Sequence, residues 1–387
     1  MATLTTLAPP TAHAAELRVA LLHDYREELH HSMRLYAERL GSALIRRGIS
    51  VKRVRAPGVV PDAWRRRSAV WAKIDAYAGR YAVYPRLVRE LDADLIHIVD
   101  HGQSHLLRAA DARRTIITCH DLILLALAAG RIGGSKVPPV ALQVFRVIME
   151  FAKQASRVVA DSRQTREDLV SFVGVDPARI TVVHPGLNQK FGRDPERGRA
   201  YREQRGLGDG ALVLQVGDAF YKNVSGTLQV LARLRRDGVD ARLVRVGRAL
   251  GGQHRALAET LAVQASVVEL GAVPDEQMPA LYNACDLLLC PSHYEGFGWP
   301  PLEAMASGTP VVSSRAGSLD EIVGDAALTA DPDDVDTLAW HAGTLLTDEG
   351  ESARLVARGQ AHASRFSWDR AATEMIDVYR TVAAARS

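Results

Sequence analysis

The sequence predicts an α/β protein built from two doubly wound domains, each with a parallel sheet. Short apolar runs that are typical of buried strands alternate with stretches of helical periodicity, as in sheets covered by helices on both faces. The alternation is interrupted at residues 189–210, which are rich in Gly, Pro and charge, and then resumes. Because 387 residues with 47% hydrophobic content can bury two cores of ordinary size, we expect two domains.

We place the domain boundaries from these shifts in composition. Residues 1–15 are rich in Ala, Thr and Pro and are predicted to be a disordered tail. The first domain is predicted over 16–188, the linker over 189–210, the second domain over 211–365 and a final segment over 366–387.

Composition excludes several classes of protein. The net charge is +3 and the basic residues are scattered, so no nucleic-acid groove is expected. Cys119, Cys285 and Cys290 are too few for a disulfide framework, and their spacing does not suit zinc. No apolar run approaches the length of a membrane span. These features favour a soluble, cytoplasmic protein without a metal site.

In the first domain, six apolar runs predict strands: 17–22, 51–54, 94–99, 115–118, 157–160 and 180–183. Two of them run into a histidine, His101 and His120. Because open α/β sheets bind ligands at the carboxyl ends of their strands, both histidines are candidate site residues. For His101 an ordinary hydrogen-bonded loop histidine is an equal alternative.

Residues 57–91 combine aromatic side chains with a short basic run, Arg65–Arg67. A basic amphipathic segment with aromatics can lie on an anionic membrane. The favoured alternative is a solvated helix that packs its aromatics on the first domain. Weak peripheral contact with the inner membrane face through residues 64–84 is therefore a secondary hypothesis.

The second domain begins with a predicted strand at 211–216, a loop at 217–223 and a helix at 224–236. Lys222 lies just before the start of that helix, at the end of a strand. The chain has six lysines against 42 arginines, so a lysine at this position is a candidate for anion binding. The alternative is a solvated lysine on the surface.

The most informative stretch is 291–310, between two apolar runs at 286–290 and 311–314 that predict buried strands. Pro300 and Pro301 favour the first turn of a helix, and Gly308 suits its end. The loop 294–299 would then lie over a helix N-terminus, where unpaired amides and the helix dipole favour an anion such as phosphate.

Two glycines and two glutamates in this stretch point to a polar ligand. Gly296 and Gly298 leave room for backbone amides to approach a ligand. A carboxylate can accept two hydroxyl donors at once, so Glu295 and Glu303 suit a sugar or a ribose diol. The alternative is that both are solvent-facing residues of a first helical turn.

The run Glu295-Gly-Phe-Gly-Trp-Pro-Pro-Leu-Glu303, continued by 304–312 and 317–323, resembles the signature of the retaining glycosyltransferases of family 4, which have the GT-B fold. The resemblance implies that Glu295 contacts hydroxyls of the transferred sugar, while Phe297 and Gly298 offer backbone amides to it. It also implies that Glu303 holds the nucleotide ribose. The helix amides up to Leu302 would face the phosphate.

Other stretches resemble the same family. Residues 217–223 resemble its phosphate-binding loop, which implies that Gly217 and Lys222 contact the leaving pyrophosphate. The usual arginine before that lysine is replaced by Tyr221, and we propose Arg248 as its substitute. The stretch that reads the nucleotide base corresponds to 267–271 and Val273, and residues 366–387 resemble the helix that crosses back to the first domain.

In the first domain the resemblance is weaker. Residues 118–122 resemble a segment of that family whose histidine, here His120, reaches toward the donor sugar across the cleft. The turn at 23–32 lacks the family's Gly-Gly pair, so we predict that His31 and Ser32, with His101, shape the acceptor pocket.

The resemblance implies a metal-independent, cofactor-free transfer of a hexose from a nucleotide-sugar, such as a UDP- or GDP-sugar, to a glycan, lipid-linked or small-molecule acceptor. A glycoside hydrolase that uses the two glutamates, a nucleotide-sugar epimerase and a catalytically silent binding module remain alternatives. Product analysis separates the first two: a hydrolase releases free sugar, and an epimerase needs no acceptor.

Overall fold

The computed structural model describes residues 17–23, 31–133, 137–188 and 190–385. The predicted disordered tail at 1–15 lies outside the described residues. The chain folds into two parallel six-stranded sheets with flanking helices, which confirms the predicted α/β class. Within the described ranges, no helix is both long enough and apolar enough to span a bilayer.

The first sheet has the strand order β2-β1-β3-β4-β5-β6, and every pair is parallel. Its strands are β1 (Arg18–Leu22), β2 (Ser50–Val54), β3 (Leu95–Ile98), β4 (Thr115–Cys119), β5 (Arg157–Ala160) and β6 (Ile180–Val182). The central strands are buried along their whole length, as expected for a sheet covered on both faces.

The helices of the first domain cover both faces of this sheet. They are α1 (His31–Arg46), α2 (Asp62–Arg67), α3 (Ala69–Ala78), α4 (Tyr84–Arg89), α5 (Ile123–Ala128), α6 (Pro139–Ala152) and α7 (Arg163–Asp168). A π turn, Gly79–Val83, joins α3 to α4, and a 3₁₀ segment, His101–Arg108, follows β3.

The second sheet has the order β12-β11-β10-β7-β8-β9 and is also wholly parallel. Its strands are β7 (Ala211–Val216), β8 (Ala241–Val246), β9 (Val267–Glu269), β10 (Leu287–Cys290), β11 (Val311–Ser314) and β12 (Leu328–Ala330). The strand order reverses between β7 and β10, and such a switch point opens a crevice for a ligand.

The helices of the second domain and the C-terminal segment complete the fold. They are α8 (Pro195–Arg205), α9 (Val224–Arg236), α10 (Gly252–Thr260), α11 (Met278–Ala284), α12 (Trp299–Ser307), α13 (Leu319–Val323), α14 (Val335–Thr347), α15 (Glu349–Ala363) and α16 (Trp368–Ala384). Helix α16 packs Trp368 and Tyr379 into the first-domain core against Tyr36 of α1.

The predicted linker at 189–210 differs from the structure, because it contains the 11-residue helix α8. Asp194 caps the helix by accepting the N–H of Arg197, Pro195 occupies its first turn, and Gly206 ends it in the left-handed region with φ 61°. Tyr201 anchors α8 in the second-domain core. The cap, the proline and the glycine indicate a helix, but the high content of Gly, Pro and charged residues favoured the interpretation as a linker.

The segment 122–139, which mixes Leu and Ala with glycines and prolines and which we call the lip, also contains a helix, α5, which buries Leu125 and Ala126. Residues 134–136 of this segment lie outside the described part of the chain. Helix α5 therefore holds the first half of the lip against the protein body.

Candidate active site

Two loops of the second domain meet at the switch point of its sheet. One follows β7 and runs from Gly217 to Asn223, and the other follows β10 and runs from Pro291 to Gly298. Because β7 and β10 are hydrogen-bonded neighbours, their carboxyl ends bring the two loops side by side. The backbone N–H of His293 donates to the carbonyl of Tyr221 at 2.8 Å and ties them together.

An ion pair joins the two loops at their centre. The Nζ atom of Lys222 lies 2.6 Å from Oε1 of Glu295, and both side chains are almost fully buried. The hydroxyl of Ser292 donates to the same carboxylate oxygen at 2.7 Å. Although burial disfavours the ammonium, the Glu295 carboxylate raises the pKa of Lys222 above its ordinary value. A buried, charged lysine therefore stands at the crevice.

Gly217 makes room for this lysine. Its backbone has φ 94°, and a Cβ atom there would lie 2.9 Å from Cε of Lys222. Any side chain at 217 would therefore be strained in the backbone and would press on the lysine stem. The predicted contact of Gly217 with the pyrophosphate stays a prediction.

The loop over helix α12 is fixed by Ser318. The hydroxyl of Ser318 contacts the carbonyl oxygens of Glu295, at 3.0 Å, and Phe297, at 2.7 Å. Among the described residues, the amides of Phe297 and Gly298 have no hydrogen-bond acceptor. Gly298 caps α12 with φ 101°. The loop thus presents free donors at a helix N-terminus, which suits an oxyanion.

Leu302 contributes to this region only through its backbone. Its side chain is completely buried in the second-domain core, where it packs with Phe297. The expected contact of Leu302 with a donor is therefore limited to its amide group.

Glu303 lies in a cavity of about 320 Å³ between the domains. Val273, also predicted, lines the same cavity, and so does Ser32 of α1 from the first domain. The hydroxyl of Tyr282 donates to Oε2 of Glu303 at 2.8 Å. Burial raises the pKa of Glu303 to about 7, although the Tyr282 hydrogen bond opposes the shift.

Ser32, which we predicted to shape the acceptor pocket, lines the same cavity as Glu303. Its acceptor role stays a prediction. The side chain of His31, predicted with it, lies outside what the structure describes. Helix α1 begins at this point, and its first turn faces the second domain.

The first domain closes over the glutamate loop. A Cβ atom on Gly296 would lie 2.6 Å from the carbonyl oxygen of His120, so only glycine allows this approach. The hydroxyl of Ser162 donates to the carbonyl of Gly296 at 2.8 Å. The hydroxyl of Tyr294 donates to the buried carboxylate of Asp168 at 2.6 Å. The residues next to Glu295 are therefore held by both domains.

His120 is held tightly inside the first domain. Its Nδ1 atom lies 2.5 Å from Oδ2 of Asp161, and its Nε2 atom lies 2.8 Å from the carbonyl oxygen of Val99. Burial opposes a charge on the ring, but the Asp161 carboxylate raises the pKa of His120 to about 9. With both nitrogens engaged, His120 faces the glutamate loop through its backbone carbonyl, and contact of the ring with a donor remains a prediction.

His101 lies nearby, with its ring centroid 6.4 Å from that of His120. It is buried and packs edge-on against Phe145, with a centroid distance of 5.7 Å. Its Nδ1 atom is 3.6 Å from Asp100. The predicted acceptor role of His101 stays a prediction.

Arg248 lies at the rim of the crevice. Its side chain is 86% exposed, and its Nε atom lies 2.5 Å from Oδ2 of Asp218. Tyr221, which replaces the usual arginine, packs instead with Tyr294 and with Ile132 of the lip. Whether Arg248 supplies the missing charge remains a prediction, and its present partner is Asp218.

Several site residues could not be found from local sequence. Tyr282 and Asp168 act through partners that are 21 and 126 residues away. Asp161 lies 41 residues from its partner His120. Trp299 lies within the run 295–303 and had no predicted role of its own, yet it lines the Glu303 cavity. Among the described residues, no group of three His, Cys, Asp or Glu side chains is placed to hold a metal ion.

Two parallel-sheet domains that meet through loops at the carboxyl ends of their strands define the GT-B class of glycosyltransferases. Residues 33–191 match the family model of Glycosyltransferase Family 4, and residues 199–362 match that of Glycosyl transferases group 1. The chain belongs to glycosyltransferase family 4.

Individual relatives agree with this assignment. The O-antigen chain mannosyltransferase B of Escherichia coli is 50% identical over 111 residues, which are 29% of this chain and 29% of the relative. The D-inositol 3-phosphate glycosyltransferase of Xylanimonas cellulosilytica is 37% identical over 57% of this chain and 56% of its own length. These matches span about a third to little more than half of each relative.

A solved structure matches nearly the whole chain. Anabaena Alr3699/HepE in complex with UDP and glucose superposes with a TM-score of 0.71 at 20% identity, over 94% of this chain and 100% of that one. At this identity the likeness establishes the fold.

Proposed function

We propose that the protein transfers a hexose from a nucleoside diphosphate sugar, a UDP- or GDP-sugar, to a hydroxyl group of a glycan, lipid-linked or small-molecule acceptor. The configuration at the anomeric carbon is retained, and no metal ion or other cofactor takes part. The observation that carries this proposal is the buried Lys222–Glu295 pair at the switch point, beside the Glu303 cavity.

Each part of the crevice suits one part of such a donor. The carboxylate of Glu303 can accept both hydroxyls of a ribose. The ammonium of Lys222 and the free amides of Phe297 and Gly298 can bind the pyrophosphate. When the donor enters, Glu295 exchanges its bond to Lys222 for sugar hydroxyls, which releases the lysine to the phosphate.

The same groups can stabilise the reaction. As the bond between the anomeric carbon and the phosphate oxygen breaks, negative charge develops on the phosphate, where Lys222 and the loop amides lie. A preorganised donor of this kind contributes roughly 10²–10³ in rate. The acceptor oxygen forms the new bond to the anomeric carbon, and the leaving phosphate takes the acceptor's proton. Closure of the domains favours transfer over hydrolysis by excluding water.

The named relatives support a hexose donor. One is a mannosyltransferase, and the solved structure of Anabaena Alr3699/HepE contains UDP and glucose. Thermal stabilisation by a panel of UDP-, GDP- and ADP-hexoses tests the donor class, because a bound ligand raises the melting temperature according to its affinity. We expect one nucleotide class to stabilise the protein, with EDTA present or absent.

Product analysis with the stabilising donor then tests the reaction. We expect a new glycoside with the donor's anomeric configuration when an acceptor is supplied, and little free sugar without one. Release of free sugar regardless of acceptor would indicate a hydrolase, and conversion of the donor alone would indicate an epimerase.

A further inference from the structure

Two apolar stripes face solvent on the first domain. Val70, Ile74 and Tyr77 recur at helical spacing on α3, Tyr81 follows in the π turn, and all four are 43–66% exposed. Helix α6 carries a second stripe, Val140, Val144 and Val147, which are 47–76% exposed. An apolar helix face normally packs against the protein body, so these stripes call for a partner.

The two stripes belong to one surface. Tyr81 from the first stripe, and Val144 and Val147 from the second, line a groove of about 470 Å³. Tyr77 stacks on Tyr81 with ring centroids 6.0 Å apart, which continues the surface along α3. Trp64 on α2 lies against Trp71 with centroids 5.4 Å apart. We call the following exposed side chains the apolar face: Trp64, Val70, Trp71, Ile74, Tyr77, Tyr81, Val140, Val144 and Val147.

Basic residues surround the apolar face. Residues 62–89 contain seven arginines and lysines and two aspartates. One of these aspartates, Asp75, is buried and accepts the amides of Val59 and Val60. Arg89 and Arg108 line the groove itself, and both are exposed. The face thus combines exposed tryptophan and tyrosine with a strong excess of positive charge.

We propose that the apolar face docks on the surface of an anionic lipid bilayer. Tryptophan and tyrosine side chains suit the boundary between headgroups and acyl chains, because each ring has an apolar body and a polar edge. The surrounding arginines attract anionic headgroups, at about 1 kcal/mol for each basic residue near the surface. Their charge favours this occupant over a second copy of the chain, whose face carries the same positive charge.

The apolar face is connected to the active site by one short element. The 3₁₀ segment His101–Arg108 begins beside His120 and ends in the groove. Its eight residues rise about 16 Å in total. Docking would therefore bring a lipid-linked acceptor near the crevice, a consequence that rests on the proposed function.

The structure also changes the earlier interpretation of residues 64–84. Their aromatic side chains were expected to pack on the first domain; Tyr84 is fully buried there, whereas Trp64, Trp71, Tyr77 and Tyr81 are each at least 40% exposed. The valines of the α6 stripe have the spacing of any amphipathic helix, so the sequence alone does not predict that they face solvent.

Vesicle sedimentation tests the proposal with the full chain and no substrate. We expect binding to phosphatidylcholine vesicles that contain phosphatidylglycerol, and little binding to phosphatidylcholine alone. Replacing Arg66 and Arg67 by glutamine should weaken binding by about fivefold for each charge removed. Trp64→Ser should also weaken it, whereas Trp340→Ser, which changes a still more exposed tryptophan of the second domain, should not.

Three outcomes would overturn the proposal: no binding by the parent protein, equal binding by Trp64→Ser, or concentration-dependent dimers that Val144→Ser dissociates. The last result would make the face a contact between copies of the chain. Thermal stabilisation by nucleotide should be the same in all these variants. A protein that binds vesicles but no nucleotide would retain the docking surface and refute the proposed function instead.

Discussion

At the scale of single residues, Lys222 is the group on which the proposed chemistry depends most. It is buried, charged and paired with Glu295 across two loops. Its value to the reaction lies in the charge that develops on the phosphate, so its removal should affect the transition state more than the bound donor.

Lys222→Ala should therefore lower kcat by about 10²–10³ and weaken donor affinity much less. Initial rates and calorimetric donor binding measure the two effects separately. Lys52→Ala, which removes an exposed lysine from strand β2, serves as the control. Because Glu295 would lose its partner, Lys222→Arg should be made as well, and it should regain part of the rate. A loss of affinity with unchanged kcat would make Lys222 a ground-state binder only.

If Glu303 holds the ribose as proposed, nucleotide binding should depend on pH. Its pKa of about 7 means that the carboxylate is protonated at pH 6 and ionised at pH 8. Since only the carboxylate can accept both ribose hydroxyls, affinity relative to Glu303→Gln should rise about tenfold between these pH values. Both proteins are titrated with the same nucleoside diphosphate, so its own ionisation cancels. Parallel pH profiles would remove Glu303 from the ribose site.

The stability of the unliganded protein should show the opposite trend. Because the folded pKa of Glu303 lies above its ordinary value of 4.5, the folded state binds the proton more tightly than the unfolded chain. The contribution of Glu303 to stability therefore falls as pH rises from about 4.5 to about 7.

At the scale of elements, the glutamate loop lies between two domains that both fix it. Gly296 is the point of closest approach, because a Cβ atom there would collide with the backbone of His120. Gly296→Ala should therefore hold the domains apart and misplace Glu295 relative to an acceptor.

We expect Gly296→Ala to lower the rate of transfer by about 100-fold, as a displacement of about 1 Å can do, while nucleotide affinity changes less. Gly251→Ala is the matched control, because a Cβ atom at Gly251 meets open space. Steady-state rates and nucleotide titrations on both variants make the comparison. Full activity in Gly296→Ala would show that this contact is not needed.

The elements also show what local sequence could predict. The strands of the first domain, strands β7, β10 and β11 of the second, the loop after β10 and the helix opened by Pro300 and Pro301 followed from apolar runs and turn residues, whereas no ranges were predicted for β8 and β12. The linker helix α8 was missed even though Asp194, Pro195 and Gly206 mark its ends. Its surroundings in the sequence are polar, and the packing of Tyr201 into the second-domain core, which helps to stabilise it, is not visible in local sequence.

The partners within the site were harder to predict than its position. The neighbourhood of Lys222 and Glu295 followed from the rule that parallel strands end at one edge of a sheet. The Tyr282–Glu303 and Tyr294–Asp168 hydrogen bonds did not, because each joins elements whose contact depends on the packing of a whole domain. The exposure of a helix face also depends on tertiary packing. The spacing of Val140, Val144 and Val147 is visible in the sequence, but the sequence does not show whether this stripe faces the core or the solvent.

At the scale of the whole molecule, the proposed function assigns separate tasks to the two domains. The second domain holds the charged crevice, and the first covers it with residues from α1, the lip and α7. The C-terminal helix α16 ties the chain back to the first domain through Trp368 and Tyr379. Under the proposed function, the second domain would bind the donor and the first would admit the acceptor.

The central claim is that a nucleoside diphosphate binds at the switch point of the second sheet. A crystal structure of the protein with the nucleotide that stabilises it most tests this claim directly. We predict the distal phosphate within hydrogen-bond distance of Lys222 and the loop amides, and the ribose hydroxyls on Glu303. A nucleotide bound elsewhere, or bound here with Lys222 still paired to Glu295 and distant from the phosphates, would contradict the account.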